Sequence, residues 1–314
     1  MAPHARSQAT LGGTNLIDEH AASPQWKASG IALRHMTAGD IAAGMRLVGE
    51  AGWNQAEEDW QLFLGLSPDR CFVAVADGQV VGTVTTLDYE GRVAWISMLL
   101  VDPATRHMGI GSQLFDRALG AVSSCGTIAL DATPAGQGLY ARRGFEPLFE
   151  IDRLVIDRLP PLDDLPAGVG PIAEDDWPAI VASDHPAFGA DRTPLLRALW
   201  ERAPQLAWRR MREERPVGYC LGRRGTRYVQ VGPIVAETNE DAVALCGACM
   251  RGLAGRAVVL DVPTFQPALR TWLERLGFSC QRSLARMVLS PEQGHATLGP
   301  QFEHQFAIAG PELG

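Results

Sequence analysis

The sequence predicts an α/β protein built from two pseudo-repeated units, and three observations predict it. From Ile31 to Ile156 the pattern reads as strand, two helices, three strands, helix, strand, helix, strand. Within it, Ile96–Leu119 runs from an apolar strand through a glycine loop directly into a helix. Landmarks of this first half then return in the second. Val217-Gly218 answers Val81-Gly82, Gly277-Phe278 answers Gly144-Phe145, and Asp261 answers Asp131, at offsets of 136, 133 and 130.

Each element has its own warrant. IALRHM, starting at Ile31, is a short strand, and Asp40–Glu50 is a helix on which Ile41, Met45 and Val48 share a face. Ala51-Gly52-Trp53-Asn54-Gln55 breaks that helix. A second helix, Ala56–Leu66, carries Trp60, Phe63 and Leu64 as its buried stripe and stops at Ser67-Pro68. Asp77-Gly78 between the strands Cys71–Ala76 and Val80–Leu87 is a hairpin turn. The next strand, Arg92–Val101, must end at Asp102-Pro103, because proline has no N–H for the ladder. Behind Ser112, Leu114, Phe115, Ala118 and Leu119 recur at helical spacing. Thr127–Ala132 is a strand, Gly136–Arg143 a short helix, and Leu148–Ile156 a last strand closing the unit.

Between the central strand and its helix lies Arg106-His107-Met108-Gly109-Ile110-Gly111. Glycines let backbone N–H groups approach a ligand, and the positive end of a helix favours anions, so the loop is a phosphate cradle. A dinucleotide fingerprint needs a third glycine where Leu114 stands, and a P-loop needs a lysine that does not follow Gly111. A glycine-rich turn without a ligand is the alternative. The order that fits is Val101-Asp102-Pro103, Arg106, then Gly109-Ile110-Gly111 opening a helix. It resembles the acetyl-CoA motif of the GCN5-related N-acetyltransferases, the GNAT family.

That resemblance implies a mixed α+β sheet that splays beyond its fourth strand to admit acetyl-CoA as co-substrate, with no metal. It implies that Leu99, Leu100 and Val101 line the acetyl and pantetheine arm, and that Arg106, His107, Met108, Gly109, Ile110, Gly111 and Ser112 hold the pyrophosphate. Leu139-Tyr140-Ala141-Arg142-Arg143-Gly144-Phe145 is similar to the family's second signature, making Tyr140 the expected acid toward the departing thiolate; a tyrosine merely packed beside Phe145 is the alternative. Seven residues earlier many members have a cofactor-binding asparagine. Thr133 stands there and keeps a hydroxyl for that contact.

The domains expected are therefore a catalytic unit at 30–158, a linker at 159–170 (LPPLDDLPAGVG) and a degenerate copy at 171–290, flanked by a flexible arm at 1–29 and a turn-rich tail at 291–314. The second copy lacks the chemistry. GPIVAETNEDAVAL replaces the glycine loop, with Glu237, Glu240 and Asp241 where a pyrophosphate would need positive charge, and Leu273 takes the place of Tyr140. Trp53-Asn54-Gln55, and the stretch Asp184–Arg192 that occupies its place in the second copy, resemble a bacterial two-domain subgroup. The resemblance implies a shared acceptor pocket with Trp53, Asn54 and Asp184 as substrate residues; for Asp184 the alternative is helix capping. His185, a lone histidine before proline, reads as a loop residue.

Composition sets the outer limits. At 314 residues with 46% hydrophobic and 20% charged content the chain has ample core for two domains, and no apolar run approaches the length of a membrane span. The first residues lack a basic segment followed by an apolar one, so a cytoplasmic protein is expected. Six scattered cysteines agree, and Cys246-x-x-Cys249 has no second pair or histidine to build a zinc site. A net charge of −8 argues against a nucleic-acid partner and is compatible with a cationic amine. The expected function is acetyl transfer from acetyl-CoA to a primary amine of a small molecule, by a monomer or homodimer. An acyl-CoA sensor that transfers nothing is the rival from another class, and a protein-acetylating enzyme a third reading. The general base is left open among Glu50, Asp59, Asp131 and Asp184.

Overall fold

The computed structural model describes residues 30–162, 166–290 and 298–314. The expected arm at 1–29, three residues of the expected linker and the first seven of the expected tail lie outside the described residues.

The first repeat comprises β1 (Ala32–His35), α1 (Ile41–Ala51), α2 (Glu57–Leu66), β2 (Phe72–Ala76), β3 (Gln79–Tyr89), β4 (Val93–Val101), α3 (Ile110–Ala121), β5 (Thr127–Ala132), α4 (Pro134–Ala141) and β6 (Glu146–Ile156). The second repeats that order with β7 (Val169–Pro171), α5 (Trp177–Phe188), α6 (Thr193–Arg202), β8 (Trp208–Arg212), β9 (Arg215–Arg224), β10 (Val229–Ala236), α7 (Asn239–Arg251), β11 (Val258–Pro263), α8 (Pro267–Arg275) and β12 (Ser279–Leu289). A short β13 (Gln305–Ala307) follows.

Local chemistry accounts for most boundaries. Asp77 and Gly78 both take positive φ, the turn geometry that suits the twist of the β2–β3 hairpin. Gly52 ends α1 at φ +66. Gly44 lets α2 approach, since a Cβ there would lie 2.9 Å from the Trp60 ring. Asp59 accepts a 2.8 Å bond from the Ala56 N–H and so caps α2. His185, expected in a loop, instead sits within α5, with Pro186 beside it and Gly189 ending the helix.

The strands form one sheet in the order β1-β2-β3-β4-β5-β12-β6-β11-β10-β9-β8-β7. This corrects one expectation: the strand thought to close the first unit does not pair with β5. The two repeats exchange their last strands, so β12 lies against β5 and β6 against β11, and the two pair with each other at the centre. Two buried ion pairs lock the exchange. Arg286 of β12 grips Asp131 of β5 through two 2.9 Å bonds, and Arg153 of β6 grips Asp261 of β11 through two 2.7 Å bonds. The aspartates whose spacing signals the repeat are each held by an arginine of the other copy.

Helices α1, α2, α5 and α6 share one core on one face, built around Trp60, Phe63, Trp95, Phe188 and Leu199. On the other face, α3 packs over the first half through Leu114 and Phe115, and α7 and α8 over the second half through Leu245, Leu269 and Leu273. Cys246 and Cys249 are buried among these apolar residues as free thiols.

Candidate active site

Strand β4 runs parallel to β5 for only three residue pairs, Val93–Trp95 against Thr127–Ala129, and the two then part. The register of β4 on β3 slips at the same place: Ser97 and Leu100 pair with Thr85 and Thr83, so Met98 and Leu99 face Val84 alone. Met98 takes φ +48, a bulge that bends the strand away and leaves backbone groups out of the ladder. The gap opens into a cavity of about 770 Å³.

One end of the cavity is an anion cradle. Asp102 stops β4 by accepting the Ala104 N–H, and His107 and Gly109 turn the chain at φ +66 and +79 into α3. The first backbone bond of that helix is Gln113 N–H to the Gly109 carbonyl, so the N–H groups at its opening have no partner within the helix. Gly111 lies against Val101, and a Cβ would reach 3.6 Å from its side chain. These residues could hold coenzyme A, the unpaired N–H groups suiting its pyrophosphate and the bulged strand its extended arm. Of the residues expected here, Leu99, Leu100, Val101, Arg106, His107, Gly109, Ile110, Gly111, Ser112 and Thr133 line the cavity. Met108 does not and is exposed.

Tyr140 reaches the wall from α4. Its ring packs 4.9 Å from that of Phe115 and beneath Gly136, where a Cβ would lie 2.9 Å from the tyrosine ring. Burial pushes the phenol up to about 12, so it keeps its proton at neutral pH.

The wall opposite the glycine loop is assembled from both repeats. Trp53 lines it with Glu50 and Gln55. Asn54 lies off the wall. Its side chain accepts from the N–H groups of Arg227 and Tyr228 and donates to the Tyr228 carbonyl, stapling the α1–α2 loop to the β9–β10 turn. Asp184 is also elsewhere: it is buried in α5, gripped by Arg192 at 2.9 and 3.0 Å and bonded by the Tyr219 hydroxyl. Of the other carboxylates considered, Asp59 is buried between Arg202 and Arg223, and Asp131 is on the wall with both oxygens taken by Arg286.

Sequence reasoning missed Arg153, Arg282, Leu284, Pro311 and Glu312, which all line this side. The last two belong to the tail, which is docked between the repeats. Trp95 donates to the Pro311 carbonyl at 2.9 Å, Tyr89 to that of Leu313 at 2.8 Å, and Arg192 to the Gly314 oxygen at 2.8 Å. Glu312 is 2% exposed, with Oε1 bonded by Arg223 and Oε2 without a hydrogen-bond partner. The available signal was weak: Phe306, Ile308 and Leu313 are apolar residues in an otherwise turn-rich segment.

The tail also fills the matching gap of the second repeat. Strand β10 parts from β11 after Val229 and Gln230, as β4 parts from β5. There β13 adds to β10 at Ile234 and Val235, and the Ile308 N–H bonds the Asp261 carbonyl on β11 at 3.0 Å. A side chain at Gly232 would run into the Ile308 carbonyl. Among the described residues no cluster of His, Cys, Asp and Glu could hold a metal ion, and no helix is long and apolar enough to cross a membrane.

Known proteins agree with this geometry. Residues 45–145 match the model of the acetyltransferase (GNAT) family, and residues 180–298 match that of an acetyltransferase (GNAT) domain. The N-acetyltransferase YitH of Bacillus subtilis is 25% identical over 240 residues, covering 76% of this chain and 84% of YitH. The holothin acyltransferase of a Pseudoalteromonas species is 24% identical over 265 residues, covering 83% and 87%. An acetyltransferase structure from Pyrococcus horikoshii superposes with a TM-score of 0.77 at 23% identity, over 94% of this chain and all of the other. A tandem GNAT protein from the clavulanic acid biosynthesis pathway superposes with a TM-score of 0.59 at 16% identity, over 84% and 100%. With its two repeats, its bulged and splayed strand and its glycine-opened helix, the chain belongs to the GNAT family as a tandem acyltransferase.

Proposed function

We propose that the first repeat transfers the acetyl group of acetyl-CoA to a primary amine of a small molecule, the two substrates being bound together. The observation that carries this reading is one cavity in which the anion cradle, the bulge at Met98-Leu99 and Tyr140 meet a wall supplied by the second repeat and the tail. Acetyl-CoA supplies a thioester carbonyl. Backbone N–H groups at the bulge polarise it, a contribution of about 3 kcal/mol per well-placed donor. The amine nitrogen attacks, the new C–N bond forms and the C–S bond breaks. Tyr140, which holds its proton until about pH 12, gives it to the leaving sulfur. The proton lost by the amine goes to Glu312, the buried carboxylate on the wall with an oxygen free to take it. Trp53, Gln55, Pro311 and Glu312 line the acceptor side, and a wall drawn from both repeats and the tail favours a small molecule over a folded protein.

The reading is tested by titrating acetyl-CoA calorimetrically into wild type and Gly109→Glu, then following thiol release with primary amines. One equivalent bound by wild type and none by the variant is expected, because Gly109 holds φ +79 and a carboxylate there faces the pyrophosphate. Binding without thiol release from any amine would sink the transfer reading.

A further inference from the structure

The charges on the acceptor wall are balanced with one exception. Glu50 is paired with Arg46, Asp131 with Arg286, Arg153 with Asp261, and Glu312 with Arg223. Arg282 lines the same wall and has no hydrogen bond or ion pair from its guanidinium among the described residues, and its Nε is buried without an acceptor. It stands directly across from Arg153 in the β12–β6 register. Asp261 of β11, which lies beyond Arg153 in the sheet and whose charge Arg282 also feels, is already taken by two donors of Arg153 and by Gln230 at 3.0 Å. Two guanidinium groups thus share one committed carboxylate.

Resting on the transfer reading above, we infer that the acceptor amine carries a carboxylate, which Arg282 binds as its counterion. A partly buried cation without an anion is an unfavourable arrangement, and a guanidinium fork matches a carboxylate in two parallel bonds. The free charge also disfavours acceptors that are cationic throughout. Burial and the charge of Arg153 hold Arg282 below its usual arginine range, the direction expected where an anion is wanting. The position says more about shape. Arg282 is four residues from Arg286 on β12, about 13 Å along the strand. Arg286 touches Asp131, two residues past the last pairing of β5 with β4. The Met98 bulge, three residues past Trp95 of that last pairing, is level with Ala132 and so with Ala285, three residues short of Arg282; this sets the carboxylate about 10 Å along the sheet from the reacting carbonyl and makes the acceptor an extended amino acid.

The experiment uses the full chain with saturating acetyl-CoA and matched acceptors: 6-aminohexanoate against hexylamine, and 4-aminobutyrate against butylamine. Wild type is expected to favour the carboxylate of each pair by about 10-fold or more in kcat/KM, the effect of one charge-assisted contact. Arg282→Gln should lose that preference, chiefly through KM, while acetyl-CoA binding is unchanged; Arg282→Lys should restore part of it. Equal use of both members by wild type, or a preference that survives in Arg282→Gln, overturns the inference. If acetyl-CoA binds but no amine releases thiol, the transfer reading fails by itself. Calorimetric binding of 6-aminohexanoate in the presence of coenzyme A then decides: binding lost in Arg282→Gln supports the anion site, and no binding by wild type refutes it.

Discussion

Replacing Arg286 with methionine should separate the structural role of the strand exchange from the chemistry around it. Both side chains of the Arg286–Asp131 pair are fully buried, and two 2.9 Å bonds join them. Methionine keeps part of the apolar stem but not the guanidinium, whose carbon lies 4.5 Å from the Trp95 ring centroid, so the cation–π contact goes with the ion pair and the loss is mainly electrostatic. Breaking such a pair from one side leaves an uncompensated buried carboxylate and costs about 3–5 kcal/mol. Native stability is itself only about 5–15 kcal/mol, so the variant should be marginal. Equilibrium urea unfolding followed by circular dichroism measures the cost, and Asp131→Leu/Arg286→Met should recover most of it, since no charge then remains. The pH dependence has a fixed sign. Burial already raises the Asp131 carboxyl above its usual range, and losing Arg286 removes the opposing pull. The single variant's deficit is therefore full above that raised value and shrinks as pH falls through it and the carboxyl takes up a proton. A single-variant cost below about 1 kcal/mol, or a double variant no better than the single, would refute the idea that these pairs hold the exchanged strands.

Three further outcomes follow from the site. Tyr140→Phe should lower kcat by about 10²–10⁴ with acetyl-CoA affinity unchanged, and the wild-type profile should show no loss of the acid below about pH 11, because burial holds the phenol near 12; an alkaline fall near pH 9 that disappears in the variant would contradict this. Glu312→Gln retains an acceptor for Arg223 but cannot take a proton, so kcat/KM at neutral pH should fall by a similar factor and recover as pH rises and more amine is free; unchanged turnover would remove Glu312 from the mechanism. Asn54→Ala strips three bonds from the 227–228 backbone and should destabilise the protein by about 2–3 kcal/mol in urea unfolding, with little change in acetyl-CoA affinity. A neutral effect on stability would mean that the staple does not hold the repeats together.

What the sequence made legible was local. The Asp77-Gly78 hairpin, the proline after β4 and the glycines before α3 each act through the φ of a few residues, and that is written where it acts. The glycine-loop end of the cavity is built from one continuous stretch and was readable for the same reason. The opposite wall was not, because its residues come from α1, β5, β6, β12 and the tail, which no periodicity connects. Asn54 and Asp184 show the characteristic error. Both are polar residues in the right segments, yet each is drawn off the wall by stronger local partners, the 227–228 backbone in one case and Arg192 with Tyr219 in the other. The strand exchange was hidden too, since β6 carries the same alternation whichever neighbour it pairs with.

The fate of the second repeat shows why a lost site cannot be explained from its loop alone. Glu237 and Asp241 stand where a pyrophosphate would sit, and from sequence their charge is reason enough to exclude it. In the structure both are neutralised, Glu237 by Arg215 and Asp241 by Arg210 and Arg212, so repulsion is largely cancelled. Thr238 accepts the Asp241 N–H and uses one of the donors an anion would need. The larger obstacle is β13 with Ile308, bonded to β10 on one side and β11 on the other, in the gap that the first repeat keeps open. Restoring glycines to the 232–241 loop would therefore leave the second site blocked. The same segment continues past Gly310, where φ is +135, to place Glu312 on the wall of the first site. Closing one repeat and completing the other are thus done by a single stretch of about ten residues, which ties the loss of the second site to the composition of the first.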